Sequence, residues 1–174
     1  MKIAISPNLE LSAFQPADAK ELAVLANDRA IYDMTMDLPH PYTLSDAMDW
    51  IAFNRELSLK YHRVFSYAIR NAEGQLLGSI GRRMAYGFTS HQDEIGYWVG
   101  SAFRRQGVMT AALSAYLRHL QDNEGLERIS ALVFPDNTPS IRLLEGAGFA
   151  REGHLHRYLI KDRQFKDVLL YAIW

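Results

Sequence analysis

Cysteine is absent from the 174-residue sequence. Its absence excludes disulfides, thiolate metal ligands and a cysteine nucleophile. No apolar run approaches the roughly 20 residues that a membrane-spanning helix needs. The first residues also lack the apolar stretch of a signal peptide. We therefore expect a cytoplasmic protein that has no membrane partner.

An excess of one charge is also missing, because 19 lysines and arginines face 20 aspartates and glutamates. A net charge of −1 provides no global basic field, so we expect no bulk nucleic-acid binding and only local recognition of phosphate. Apolar residues make up 48% of the chain, which is enough for a packed core. Since no repeat or long linker interrupts the chain, residues 1–174 are predicted to form a single domain.

Strand and helix patterns alternate along the sequence. A long helix is predicted over residues 106–122, where apolar residues recur at helical spacing. Thr43 and Asp46 predict a capping box at the start of another helix. Two further helices are predicted over residues 17–26 and 138–145, the latter capped by Thr138, and residues 31–42 are predicted to be irregular. Strands are predicted at residues 9–14, 65–69, 75–84, 93–99, 129–134, 149–156 and 165–174, with a polar loop at 87–90. This order predicts an α+β fold around a mixed sheet.

The turn before the long helix has the features of an anion site. It reads Arg104, Arg105, Gln106, Gly107, Val108, Met109 and Thr110. The first N–H groups of a helix lack intrahelical partners and carry the positive end of its dipole, and a glycine lets an anion approach the backbone closely. An ordinary strand-to-helix turn with two solvated arginines remains an alternative. The Gly-Lys-Ser/Thr triplet of a P-loop and the three-glycine dinucleotide fingerprint are both missing.

Several motifs occur in one order along nearly the whole chain. They are Glu94-Ile95-Gly96-Tyr97-Trp98-Val99, then Arg104-x-x-Gly107-x-Met109-Thr110, then Asn137-x-x-Ser140-Ile141-Arg142-Leu143-Leu144-Glu145-x-x-Gly148-Phe149, then Glu152-Gly153. The series resembles the GCN5-related N-acetyltransferase (GNAT) superfamily, and within it the RimJ/RimL ribosomal-protein N-acetyltransferase branch. The resemblance implies a mixed, centrally splayed sheet flanked by helices, and an acetyl-CoA-dependent N-acetyltransferase that needs no metal.

The resemblance also implies roles for individual residues. The turn formed by Arg104, Arg105, Gln106, Gly107, Val108, Met109 and Thr110 would hold the pyrophosphate of acetyl-CoA. The pantetheine arm would lie beside Trp98 and Val99, Asn137 would hydrogen-bond that arm, and Ser140 would lie near its sulfur. Three positions depart from the family pattern: Arg105 replaces a common glycine, Gly146 replaces a lysine, and Leu144 replaces a tyrosine that many relatives use as general acid.

Acetyl transfer to an amine requires removal of an amine proton, stabilisation of an oxyanion and departure of the CoA thiolate. Without a cysteine, direct attack in a ternary complex is favoured. Glu94 is the candidate base, with a solvated strand carboxylate as the alternative. Ser140 is the candidate proton donor to the thiolate, with a helix-capping serine as the alternative. An α-amine costs about 1.4 kcal/mol to deprotonate at pH 7 and a lysine about 4.6, which favours a protein or peptide N-terminus as acceptor.

Other interpretations stay open at this stage. A catalytically silent CoA-sensing or interaction domain would explain the missing tyrosine at Leu144. A small-molecule amine, such as a polyamine, amino acid or drug, could replace the peptide acceptor. An exposed apolar face at the C-terminal hairpin would permit a homodimer.

Two surface features receive ordinary structural interpretations. His154 and His156 share a strand face, but the sequence offers no third ligand, so metal binding is not favoured. Arg82 and Arg83 are predicted to form a solvated edge.

Overall fold

The fold is built on one eight-stranded sheet with the order β1-β2-β3-β4-β5-β6-β8-β7. The computed structural model describes residues 2–83 and 89–174. The strands are β1 (Lys2–Ser6), β2 (Leu9–Ala13), β3 (Ser66–Asn71), β4 (Leu76–Arg82), β5 (Gln92–Val99), β6 (Arg128–Val133), β7 (Ala150–Lys161) and β8 (Gln164–Ile173). The helices are α1 (Ala19–Ala26), α2 (Arg29–Met34), α3 (Leu44–Tyr61), α4 (Val108–Asp122) and α5 (Thr138–Gly146). No helix in the described part is long and apolar enough to cross a membrane.

The predicted α+β architecture around a mixed sheet is confirmed, with β5 and β6 as its parallel pair. The capping box of α3 is also confirmed, because Thr43 accepts from the Asp46 N–H and the Thr43 N–H donates to the Asp46 carboxylate at 2.7 Å. Several predicted boundaries were wrong: α1 starts after a 3₁₀ turn, α4 starts at Val108, and Asn137 rather than Thr138 caps α5. Strand β7 continues to Lys161, well past its predicted end at residue 156, and other strand ends differ by one or two residues. The end of the predicted strand at residue 84 and the start of the loop at 87–90 lie outside the described residues.

Two elements were not predicted. The segment expected to be irregular, residues 31–42, overlaps α2, which the carboxylate of Asp28 caps by accepting from the Ala30 N–H at 2.8 Å. Strand β1 forms the edge of the sheet by pairing with β2. A six-residue helix is too short to show a period, and an edge strand that is never fully buried shows little hydrophobic signal.

The core occupies both faces of the sheet. Helix α4 packs on one face, where Leu113 and Tyr116 are fully buried among residues of β3, β5 and β6. Helices α1 and α3 cover the other face around Leu22 and Ile51. Because helices cover both sides, strand β4 is buried along its whole length.

The predicted solvated edge was wrong for Arg82 and correct for Arg83. The Arg82 side chain is 1% exposed and donates to Glu124 at 2.8 Å, with Asp93 at 3.7 Å. A charge this deeply buried requires such partners. Arg83 is exposed as expected.

Strands β5 and β6 diverge in the middle of the sheet. Their pairing covers Gln92↔Arg128, Asp93↔Ile129 and Glu94↔Ser130, and no later pair joins these two described strands. On its other side β5 stays paired with β4 as far as Val99. The second half of β5 therefore has one edge in the sheet and one edge facing an opening.

Candidate active site

A cavity of about 1140 Å³ occupies the opening between β5 and β6. It extends from the turn before α4, through the split, to a mouth formed by α2, α3 and the segment between them. All but one of the predicted site residues line it: Glu94, Trp98, Val99, Arg104, Arg105, Gly107, Val108, Met109, Thr110, Asn137 and Ser140. Its volume is of the size that holds a large cofactor-like molecule together with a second ligand.

The turn before α4 presents backbone donors to this cavity. The first hydrogen bond of the helix joins the Ala111 N–H to the Gly107 carbonyl, so the N–H groups of Val108, Met109 and Thr110 have no partner within the helix. Gly107 has φ +77° and Arg105 has φ +62°, both in the left-handed region. A Cβ at Gly107 would meet no atom within 4 Å, so the approach to these donors is open.

The three polar side chains at the start of the turn differ in the partners that they contact. Arg104 forms an ion pair with Asp28 at 2.7 Å, which fastens the turn to the start of α2. Gln106, the predicted residue that does not line the cavity, donates its amide to the Ala102 carbonyl at 2.8 Å. Arg105 is exposed and makes no ion pair with the described residues, so its guanidinium is available to an anion.

Helix α5 brings Asn137 and Ser140 to the cavity wall. The Asn137 side chain caps the helix by accepting from the Ser140 N–H at 3.2 Å. Its amide nitrogen donates to the Met34 carbonyl at 3.4 Å. Asn137 thus connects α5 with α2, while the Ser140 hydroxyl stays available for another contact.

That contact is Tyr97, which sequence reasoning did not select. The Tyr97 and Ser140 hydroxyls are 2.8 Å apart and share a hydrogen bond. Burial raises the pKa of Tyr97 to about 12, so the phenol keeps its proton at neutral pH. The place of Tyr97 in the Glu94–Val99 motif was a signal, but only the fold brings it against a residue 43 positions later.

The position at which many relatives carry a tyrosine is part of the core. Leu144 is fully buried and packs in the cluster that contains α4 and β6. It does not line the cavity. Among the described residues, the phenol hydrogen-bonded to Ser140 in the cavity wall is that of Tyr97.

Glu94 is the last residue of β5 that pairs with β6, next to the opening. Its carboxylate is 3.0 Å from the Arg83 guanidinium, which also contacts Asp37 at 2.7 Å. Burial raises the pKa of Glu94 above its usual range, although Arg83 lowers it, and Asp37 raises it further. A partly desolvated carboxylate at the mouth of a cavity can accept a proton.

Comparison with known proteins gives a consistent result. Residues 8–150 match the acetyltransferase (GNAT) domain family. The chain is 36% identical to the ribosomal protein uS5-alanine N-acetyltransferase of Escherichia coli over 83 residues, which are 48% of this chain and 43% of that relative. It is 30% identical to an uncharacterized N-acetyltransferase, p20, of Bacillus licheniformis over 135 residues, 76% of this chain and 75% of the relative.

Solved structures share the fold over almost the whole chain. Mycobacterium smegmatis RimJ, solved in complex with a CoA disulfide, aligns with a TM-score of 0.86 and 26% identity. The alignment covers 99% of this chain and 87% of that one. An acetyltransferase of the same family from Bacillus anthracis aligns with a TM-score of 0.86 and 24% identity, over 99% of this chain and 98% of the other.

Proposed function

Because the chain belongs to the GNAT acetyltransferase family, we propose that it transfers the acetyl group of acetyl-CoA to the N-terminal α-amine of a protein or peptide. The observation that carries the proposal is one continuous cavity that joins a backbone anion site to a carboxylate at its mouth. The acceptor named for the Escherichia coli relative, an alanine of ribosomal protein uS5, agrees with this acceptor class.

Acetyl-CoA is expected to bind along the cavity from the α4 turn to the split. The N–H groups of Val108, Met109 and Thr110 would donate hydrogen bonds to its pyrophosphate, with Arg105 adding a positive charge. The unpaired edge of β5 near Trp98 and Val99 would hydrogen-bond the amides of the pantetheine arm. Asn137 lines the same cavity and is proposed to hydrogen-bond this arm.

The proposed chemistry uses both faces of the sheet. Tyr97 packs on the α4 side, whereas Trp98 packs on the α1 and α3 side. Since side chains alternate along a strand, Glu94 shares the face of Trp98. A thioester in the split would therefore have Glu94 on one side and the Tyr97–Ser140 pair on the other.

The bond changes follow from this arrangement. The amine nitrogen attacks the thioester carbonyl, its proton passes to the Glu94 carboxylate directly or through a water, and the C–S bond breaks as the tetrahedral intermediate collapses. Ser140 donates a proton to the departing thiolate and regains one from solvent, while the Tyr97 hydroxyl keeps its own proton and positions Ser140 through their hydrogen bond. Glu94 returns the amine proton to solvent. The products are an N-acetyl amine and CoA.

Charge at the mouth supports a cationic acceptor. Asp37, Asp49 and Glu94 line this part of the cavity, and Arg83 is the basic side chain that contacts two of them. An incoming ammonium group can replace Arg83 as their partner. An N-terminal amine then needs little free energy to lose its proton, about 1.4 kcal/mol at pH 7.

A thiol-release assay with acetyl-CoA tests the proposal directly. Since the chain has no cysteine, a thiol reagent detects only the released CoA. Peptides with a free N-terminus should release CoA and gain one acetyl group by mass spectrometry. The test peptide contains one internal lysine. The matched control is the same peptide with its N-terminus blocked, so that the lysine is its only free amine.

Three outcomes are distinguishable. Turnover of the blocked lysine peptide at an equal rate would contradict the α-amine assignment but leave acetyl transfer intact. Turnover of small amines alone would point to a small-molecule acceptor. Tight binding of acetyl-CoA without release by any amine would identify a silent CoA-binding domain.

A further inference from the structure

Two histidines and an aspartate that have no proposed role in acetyl transfer meet on the β7–β8 hairpin. His154 Nε2 lies 2.9 Å from Asp167 Oδ2, and His156 Nδ1 lies 2.8 Å from the same oxygen. One ligand atom from each of the three lies within 4.8 Å of the others. The third ligand that the sequence did not reveal is therefore supplied by the neighbouring strand.

A backbone hydrogen bond holds the carboxylate of this cluster in place. Asp167 Oδ1 accepts a hydrogen bond from the Arg157 N–H at 2.8 Å. Oxygen Oδ2 remains directed at the two imidazoles, and the Arg157 guanidinium lies 3.9 Å from the centre of the Phe165 ring, so that cation has an aromatic partner.

We propose that His154, His156 and Asp167 bind one divalent transition-metal ion of the zinc class. Two imidazole nitrogens and one carboxylate oxygen are a donor set that Zn²⁺, Co²⁺ and Ni²⁺ favour. Ligand atoms on a tetrahedral ion are about 3.4 Å apart, given metal–ligand distances of about 2.0–2.1 Å. The two contacts to Asp167 would lengthen by roughly half an ångström, a change that side-chain rotation on an exposed hairpin can supply.

Solvent completes the proposed site. Both histidines are exposed, and the side chains of His154 and Asp167 are each 34% exposed. Water can therefore take the fourth position of a tetrahedral ion. The bond from the Arg157 N–H to Asp167 would orient this ligand in the way that outer hydrogen bonds orient metal ligands.

The position of the cluster gives the ion a structural consequence. The pairing of β7 with β8 shifts register between Leu155 and Leu159, and the cluster spans this irregularity. The next residues, Tyr158, Leu159 and Ile160, line a cavity of about 280 Å³ with Arg83 and Glu94. An ion bound across β7 and β8 would fasten the hairpin beside the mouth of the proposed active site.

Equilibrium dialysis of the full chain against Zn²⁺, followed by metal analysis, tests the site. The expected result is one Zn²⁺ per chain, with affinity reduced about tenfold or more in His154→Asn and in His156→Asn. The matched control is His62→Asn, because His62 has φ +51°, a conformation that asparagine tolerates. This control should bind as the wild type does.

A second measurement separates the site from loss of fold. Each variant should unfold at the wild-type temperature in the presence of a chelator, and only the wild type and His62→Asn should gain stability from Zn²⁺. Visible absorption of bound Co²⁺ should likewise disappear in the His154 and His156 variants. Equal Zn²⁺ binding by all four proteins, or no stoichiometric binding by the wild type, would overturn the proposal.

Discussion

The clearest test of the proposed chemistry is Glu94→Gln, which keeps the size and hydrogen-bonding groups of the side chain but removes its basicity. Loss of a general base lowers the rate about 10²–10⁴-fold. At pH 7 about one tenth of an α-amine with a pKa near 8 is already deprotonated, so the variant depends on this fraction. Its deficit should therefore shrink as the pH rises above about 8.

Two neighbouring charges make this prediction sharper. Glu94 must be ionised to accept a proton, so kcat/KM should fall as the pH drops through its raised pKa. Arg83→Gln removes the cation that lowers this pKa, which should move the acidic limb of the profile to higher pH. Asp37→Asn removes a charge that raises the same pKa and should move the limb to lower pH.

The assay is CoA release with an α-amine peptide between about pH 6 and pH 9, since this window contains the pKa of the amine. Acetyl-CoA affinity by calorimetry should remain unchanged in the Glu94 variant, because Glu94 is not proposed to bind the cofactor. A wild-type rate for Glu94→Gln across this range would refute the assignment. If the acidic limb of the kcat/KM profile moved in the same direction in Arg83→Gln and Asp37→Asn, the electrostatic reasoning would be refuted.

Three further predictions concern the other side of the cavity. Ser140→Ala should lower kcat by a factor that is the same for weakly and strongly basic amines, since Ser140 acts on the thiolate; a panel of acceptors checks this. Tyr97→Phe should lower kcat about tenfold while leaving acetyl-CoA affinity intact, and rates combined with calorimetry separate the two. Gly107→Ala should weaken acetyl-CoA binding and cost about 1 kcal/mol of stability, because φ is +77° there; thermal unfolding with and without acetyl-CoA measures both.

The parts of the fold that the sequence predicted are those with local causes. The capping box of Thr43 and Asp46 lies within four consecutive residues, and the fifteen residues of α4 show apolar positions at helical spacing. Strand β1 depends instead on its partner, through pairs such as Ile3↔Leu11. Since this support comes from tertiary pairing, the five residues of β1 carry little of it in their own pattern.

The features of the candidate site also fall into those with local causes and those that depend on the tertiary fold. The turn before α4 is a continuous stretch of chain, and its donors follow from the start of a helix. The contact of Tyr97 with Ser140 and the meeting of Asp167 with two histidines depend on strand register and on helix placement. The family resemblance identified Ser140 but not its partner Tyr97, because a sequence motif gives positions along the chain and no distances between side chains.

The opening between β5 and β6 has a physical cost that argues for a ligand with a peptide-like arm. A backbone N–H or C=O that is buried without a partner costs about 1–3 kcal/mol. Beyond Glu94 the edge of β5 that faces β6 forms no ladder with that strand, although its other edge is fully paired with β4. Water can satisfy these groups, and so can the two amides of a pantetheine arm lying along the strand. The second arrangement would release the water and would place the thioester next to the proposed Glu94 and Ser140, so the missing strand pairs and the proposed reaction would have a common explanation.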